Sequence, residues 1–296
     1  MERKTINQWM NEALSRLEKR EYNNPELEVK LLMEEVLNCD RIFLIMNGND
    51  ELDEELGSSF MDLVEIRMTG KPIQYILGHQ EFMGLDLQLN DQVLVPRGDT
   101  EILVEYIIEW AKNHKKEINI LDIGTGSGAI ALSLAHFLPE AKVWTVDINT
   151  DALDIARKNA KLLEVSNRVT CVESDLFNSL NKEVFDIIVS NPPYIPSRVI
   201  DTLQEEVRFY EPRNALDGGE DGLDFYKMIT KEAPNWMNDG GLLAYEIGHD
   251  QGIAVSKLME SRFTNIEIKK DYAGKDRLVV GEFFLTKMSE SDSIFN

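Results

Sequence analysis

Seven short apolar runs between Ile118 and Leu285 restrict the folds open to this chain more than any other feature. They read INILDI, KVWTVDI, RVTCVE, VFDIIVS, GLLAYEI, NIEIKK and LVVGEFFL, with helix-like segments between most of them. Strands joined through helices return in the same direction, so they pair in parallel and carry helices on both faces. The chain is therefore expected to be α/β, with a seven-stranded, mostly parallel, doubly wound Rossmann-like sheet. The last two runs lack an obvious intervening helix, which suits an antiparallel hairpin at one edge.

Upstream the period changes. Thr5 and Gln8 make a capping box, and Ile6, Trp9, Met10, Ala13, Leu14 and Leu17 follow at helical spacing. Asn24-Pro25 reads as the N-cap and first position of a second helix through Leu37. A third helix, DRIFLIMNG, is expected to end at Gly48 and a fourth near Gly70, giving a small helical bundle over residues 1–74. Phe82, Leu85, Leu87 and Leu89 come near alternation and Asn90-Asp91 precedes QVLVP, which predicts a β-hairpin linker over 75–96. The sheet domain then occupies 97–286, and the polar end, 287–296, is expected to be a loose tail.

A formal net charge of −22, with no basic stripe interleaved with aromatics, argues against nucleic acid as a partner. Cys39 and Cys171 are the only cysteines and stand apart. That argues against a disulfide framework or a metal site, and for a reducing cytoplasm. MERKTINQWMNE has no apolar signal core, and the longest uncharged run, Ile123–Leu138, is glycine-broken and too short to span a bilayer. No membrane association is expected.

Ligands of open α/β sheets bind outside the carboxyl ends of the strands. There the first strand delivers Gly124, Thr125, Gly126, Ser127 and Gly128, a loop whose backbone can turn tightly against a ligand before a helix starts. With Ala129 as a third small residue it fits a dinucleotide fingerprint, although tight strand-to-helix turns need glycine whatever they bind. The second strand delivers Asp147, suited to ribose hydroxyls, and the third delivers Ser174, Asp175, Leu176 and Phe177, where Asp175 could equally be an N-cap. The fourth delivers Asn191, Pro192, Pro193 and Tyr194. Each proline lacks an N–H and holds its predecessor extended, leaving carbonyls with few local donors. The Asn191 side-chain oxygen and the Pro192 carbonyl can together accept both hydrogens of a planar NH₂ group, with the Tyr194 ring against the flat group that carries it.

In this order and spacing, DIGTGSG, VDIN, SDLF and SNPPYIP resemble the S-adenosylmethionine-dependent methyltransferases that modify planar nitrogens. With QYILGHQEFMGLDLQLNDQVLVPRGDTE, EPRNALDGGEDGLDFY and YAGKDRLVVG, nearly the whole chain resembles the peptide chain release factor glutamine N5-methyltransferases, the PrmC or HemK family. Gly98 departs from that family, which usually has proline there.

The resemblance implies a methyltransferase sheet, a monomer, and a helical domain that helps to hold a release factor. It implies S-adenosylmethionine with its methionine portion along Gly124–Gly128, its ribose at Asp147 and its adenine near Asp175 and Leu176. Asn191, Pro192 and Tyr194 would then act on a glutamine side chain, with Pro193 completing its binding set and Asn191 also touching the cofactor. Adenine N6 methylation of nucleic acid uses the same logic and is the alternative. A nicotinamide dehydrogenase is disfavoured, because His79, His114, His136 and His249 all fall in linker or helix-like contexts.

Overall fold

The structure is a computed structural model that describes residues 3–20, 24–114, 117–181 and 183–285. The tail expected at 287–296 lies outside the described residues. Two compact units emerge: residues up to His79 together with Gln204–Tyr210, and Gln80–Leu203 together with the chain from Glu211 onward.

The first unit contains α1 (Ile6–Leu17), α2 (Pro25–Leu37), α3 (Arg41–Asn47), α4 (Glu54–Met68) and α5 (Ile73–Leu77). Their starts follow the capping signals. Thr5 Oγ1 accepts the Gln8 N–H while Gln8 Oε1 accepts the Thr5 N–H, and Asn24 and Asp40 accept the N–H groups of Leu27 and Phe43. Ala13, Leu17, Leu32, Met33, Phe60 and Val64 form its buried centre. The return segment Gln204–Tyr210 is fixed to this unit by Arg67, which is 1% exposed and holds Glu28 at 2.7 Å and Glu206 at 2.6 Å. A guanidinium buried so deeply is tolerable only with carboxylates of this kind around it.

The second unit opens with β1 (His79–Phe82), which begins at the boundary, and β2 (Leu85–Gln88). This is the expected hairpin with a different turn. The chain reverses at Met83-Gly84, both at positive φ (54° and 74°), a geometry that matches strand twist. Gln92–Pro96 is not a strand: Asn90 Oδ1 accepts the Gln92 N–H in a local turn instead.

Next come α6 (Gly98–Lys112), β3 (Asn119–Ile123), α7 (Ala129–Phe137), β4 (Lys142–Asp147), α8 (Thr150–Leu162), β5 (Val169–Glu173) and β6 (Phe185–Ser190). The short α9 (Ser197–Ile200) and α10 (Glu205–Tyr210, in the return segment) precede α11 (Asp224–Glu232), β7 (Met237–Glu246), α12 (Gly252–Met259), β8 (Phe263–Lys270) and β9 (Asp276–Phe283).

The main sheet has seven strands in the order β5-β4-β3-β6-β7-β9-β8, parallel through β7 and antiparallel across β9. The final hairpin is therefore present, but only β8 is an edge. β9 lies inside, paired on both sides, in keeping with its buried run Leu278–Gly281. Alternate residues feed two cores: Ile187, Val189, Leu242 and Val280 face one layer, and Ile188, Leu243, Tyr245 and Val279 the other. Among the described residues no helix is long and apolar enough to cross a membrane.

Candidate active site

β3 lies between β4 and β6, with Ile123 level with Val146 on one side and Ser190 on the other. Winding reverses at this strand, so the loops after β3, β4 and β6 emerge side by side around a cleft. The cleft measures ≈ 290 Å³ and lies wholly within the second unit.

The glycine loop is pinned on β4. The N–H groups of Gly124 and Thr125 both donate to Val146 O (2.9 and 3.1 Å), and that of Gly126 donates to Asp147 Oδ2 at 3.1 Å. Gly124 needs its freedom, since its φ is +92°. Gly128 does not line the cleft. It caps α7 at φ +86°, and a Cβ there would meet Leu132 at 2.8 Å and Ala156 at 3.1 Å, so its role is close helix packing.

Asp147 lines the cleft while accepting the N–H groups of Gly126 and Asn149, and burial raises its pKa against those bonds. Two of its lone pairs are used, which leaves others for hydroxyl donors. Asp175 and Leu176 also line the cleft. Leu176 sits at φ +50°, an uncommon conformation for a branched side chain, braced by Ser174 Oγ donating to Leu176 O at 2.8 Å.

Asn191, Pro192 and Pro193 line the opposite wall. Asn191 Nδ2 donates to Thr100 Oγ1 at 3.3 Å, so the amide hydrogens face α6. Tyr194 is not in the lining. Its ring packs with the core layer that holds Tyr226 and Tyr245, where burial pushes the phenol up to about 12. Its carbonyl accepts from Gln251 Nε2 at 3.0 Å. The four residues after β6 are clasped from outside by 211–222. Ile195 N–H donates to Leu216 O at 3.0 Å and Gly218 N–H donates to Ile195 O at 2.9 Å. Gly222 approaches so closely that a Cβ would stand 2.4 Å from Tyr194 O.

Three further groups stand at or beneath the cleft. Thr100 is 4% exposed and lines the cleft from the first turn of α6, whose N-cap is Arg97. Arg97 lines the cleft too, and its guanidinium pairs with the buried Glu211. Asp122 is fully buried beneath the loop, and burial pushes it up to about 8, aided by the charge of Asp147 and opposed by the Thr145 hydroxyl 3.0 Å away. Its position, an acid two residues before Gly124, is the one local hint of it.

The PrmC N-terminal domain family matches residues 8–78, and the methyltransferase small domain family matches residues 99–219. A release factor glutamine methyltransferase of Moorella thermoacetica is 42% identical over 275 residues, covering 92% of this chain and 96% of that protein. One of Clostridium acetobutylicum is 43% identical over 256 residues, covering 85% and 89%. A methyltransferase structure from Pyrococcus furiosus shares the fold, with a TM-score of 0.50 and 21% identity over 68% of this chain and 89% of that one. On this identity and coverage, the chain belongs to the release factor glutamine methyltransferases.

Proposed function

We propose that this chain transfers the methyl group of S-adenosylmethionine to the side-chain amide nitrogen of the glutamine in the Gly-Gly-Gln motif of peptide chain release factors. The named activity of relatives at 42% and 43% identity supports glutamine over adenine. The observation that carries the chemistry is the orientation of Asn191. Its NH₂ group donates towards Thr100, which leaves Oδ1 as an acceptor on a residue that lines the cleft, next to a Pro192 carbonyl that its proline neighbours cannot occupy.

The cleft suits the cofactor. Asp147 retains acceptor capacity for a ribose diol, and the side chains of Leu176 and Ile148 offer apolar walls for an adenine. Ile148 lines the cleft although it is 68% exposed, as expected of a side chain that a ligand covers. When bound, S-adenosylmethionine would supply an electrophilic sulfonium methyl and depart as S-adenosylhomocysteine, the amide nitrogen giving up one proton to water. Thr125, Gly126 and Ser127 would hold its methionine portion.

An amide nitrogen is a poor nucleophile, and Asn191 has no titratable group with which to activate it. Asn191 Oδ1 and Pro192 O instead fix the plane of the incoming NH₂. Alignment of this kind contributes roughly 7–11 kcal/mol to lowering a barrier. The same oxygens bind more tightly as the nitrogen gains positive character, so they favour the transition state over the ground state. The first unit would contact the protein substrate. In support, Ile42, Ile45 and Met46 on α3 are 65%, 76% and 78% exposed, a density of apolar surface suited to a protein partner.

The test is mass spectrometry of a release factor incubated with the chain and isotopically labelled cofactor. One added methyl on the Gly-Gly-Gln glutamine is expected. A methyl elsewhere, or none, overturns the reading.

A further inference from the structure

β7 runs apolar and buried through Leu242–Tyr245 and then ends on a carboxyl, Glu246, that is 2% exposed. A buried carboxyl requires compensation. Its backbone is fixed by the Tyr226 hydroxyl, which donates to Glu246 O at 2.8 Å. Among the described residues its side chain has no ion partner of its own. Oε2 is buried without a hydrogen-bond partner, and Arg277 on β9 directs Nη2 to Asp99 and Asp271 at 3.0 and 3.1 Å.

Burial pushes the Glu246 carboxyl up to about 7, with Asp99 adding to the rise, while hydrogen bonding from Thr100 and Asn191 and the charge of Arg277 oppose it. β6 and β7 run parallel with Ser190 level with Tyr245, so Asn191 follows beside Glu246, and Asn191 is joined at 3.3 Å to Thr100, which also lines the cleft. Cofactor binding and amide alignment by Asn191 and Pro192 make no direct use of Glu246.

We propose that Glu246 is a positioning residue for methyl transfer: together with Thr100 it takes the hydrogens of the Asn191 side-chain amide and so keeps Asn191 Oδ1 turned to the substrate nitrogen. The inference deepens the methyltransferase reading and rests on it for its consequence in turnover.

A carboxamide is nearly symmetric in shape, and rotation by half a turn exchanges oxygen for NH₂. A flipped Asn191 would present hydrogens to the hydrogens of a substrate amide. An ionised carboxylate can only accept, so it rejects Oδ1 and selects the productive rotamer. A protonated Glu246 can donate, and the selection is lost. Charged and titratable groups face it from every neighbouring element: Asp99 on α6, Arg277 on β9, Asp271 in the turn before it, Tyr194 after β6 and Tyr226 on α11. Both phenols are raised and Asp271 is lowered, so these three keep one protonation state around neutrality.

The experiment follows the Asn191 side-chain amide resonance in the ¹⁵N-asparagine-labelled full chain, assigned by its loss in Asn191→Ala, from about pH 5.5 to 8.5. It is expected to titrate in the wild type and to stop titrating in Glu246→Gln. In methyl transfer, kcat should rise through the same midpoint. Glu246→Gln should lower kcat on the order of 10²-fold with KM for the cofactor within about twofold, and should lack that acid limb. An Asn191 resonance that is flat with pH in the wild type, or that titrates unchanged in Glu246→Gln, overturns the assignment, as does a variant kcat within about threefold of wild type. Should Glu246→Gln not fold, the wild-type titration alone decides. The resonance needs no methyl acceptor. A wild type unable to methylate a release factor would therefore overturn the proposed function, while the spectra would still decide whether Glu246 orients Asn191.

Discussion

Gly218→Ala isolates the claim that loop 211–222 aims the Asn-Pro-Pro segment. Gly218 is not at positive φ, so an alanine there meets only a steric objection. Its Cβ would stand 2.8 Å from Pro193 O and Tyr194 Cα and 2.9 Å from Gly222 Cα. Ordinary contact begins at 3.4 Å, so the backbones must part by 3.4 − 2.8 = 0.6 Å. All three obstacles are backbone atoms, and no rotamer change relieves them. Overpacking of this kind costs about 1–3 kcal/mol, within the roughly 5–15 kcal/mol by which a domain is stable, so the variant should fold. A misplacement near 1 Å can lower turnover about 10²-fold, so the smaller shift predicts a fall in kcat of about 10- to 100-fold. Cofactor affinity by calorimetry should change less than about twofold, because Asp147 and the glycine loop follow other strands. A kcat within about twofold of wild type, in a variant whose melting temperature has fallen, would refute the reasoning.

Asn191→Ala should lower kcat about 10²–10³-fold, as loss of one preorganised polar group does, with S-adenosylmethionine binding largely preserved by calorimetry. Gly98→Pro should raise stability by about 0.4–1 kcal/mol in denaturant titration, because Gly98 is the first residue of α6, Arg97 before it is extended at φ −101° and ψ 143°, and space at Gly98 is open. Asp122 has its pKa raised on folding from 3.8 to about 8, so the stability linked to its protonated form is fully present below about pH 4 and lost as pH rises through 8. Asp122→Asn should therefore flatten the stability profile between those limits in thermal melts, and an unchanged profile would count against a neutral Asp122.

Periodicity makes the sheet legible, because strands buried on both faces are continuous apolar runs and helices between them leave only the parallel solution. It does not by itself locate β9 inside the sheet, although the run Leu278–Gly281 is that of a central strand and the exposed alternation of β8 that of an edge. The hairpin turn is harder to place, because Asn90-Asp91 is a good turn signal, whereas Met83 at positive φ is an uncommon choice that only pairing of the strands enforces. Which strand ends bring residues to the cleft can be read from motif and position alone. Tyr194 cannot, since an aromatic beside two prolines serves either a ligand or a core, and here its ring joins the core. The Asn191–Thr100 contact joins elements distant in sequence, which no local pattern records. The capture of Gln204–Tyr210 by Arg67 is of the same kind.

Determination of the complex with S-adenosylhomocysteine and a Gly-Gly-Gln peptide tests the central claim most directly. The account predicts the glutamine side-chain nitrogen within about 3.2 Å of both Asn191 Oδ1 and Pro192 O, with Asn191 Nδ2 still donating to Thr100. An Asn191 amide turned the other way, or a glutamine amide held by other groups while those two oxygens bond within the protein, would contradict it.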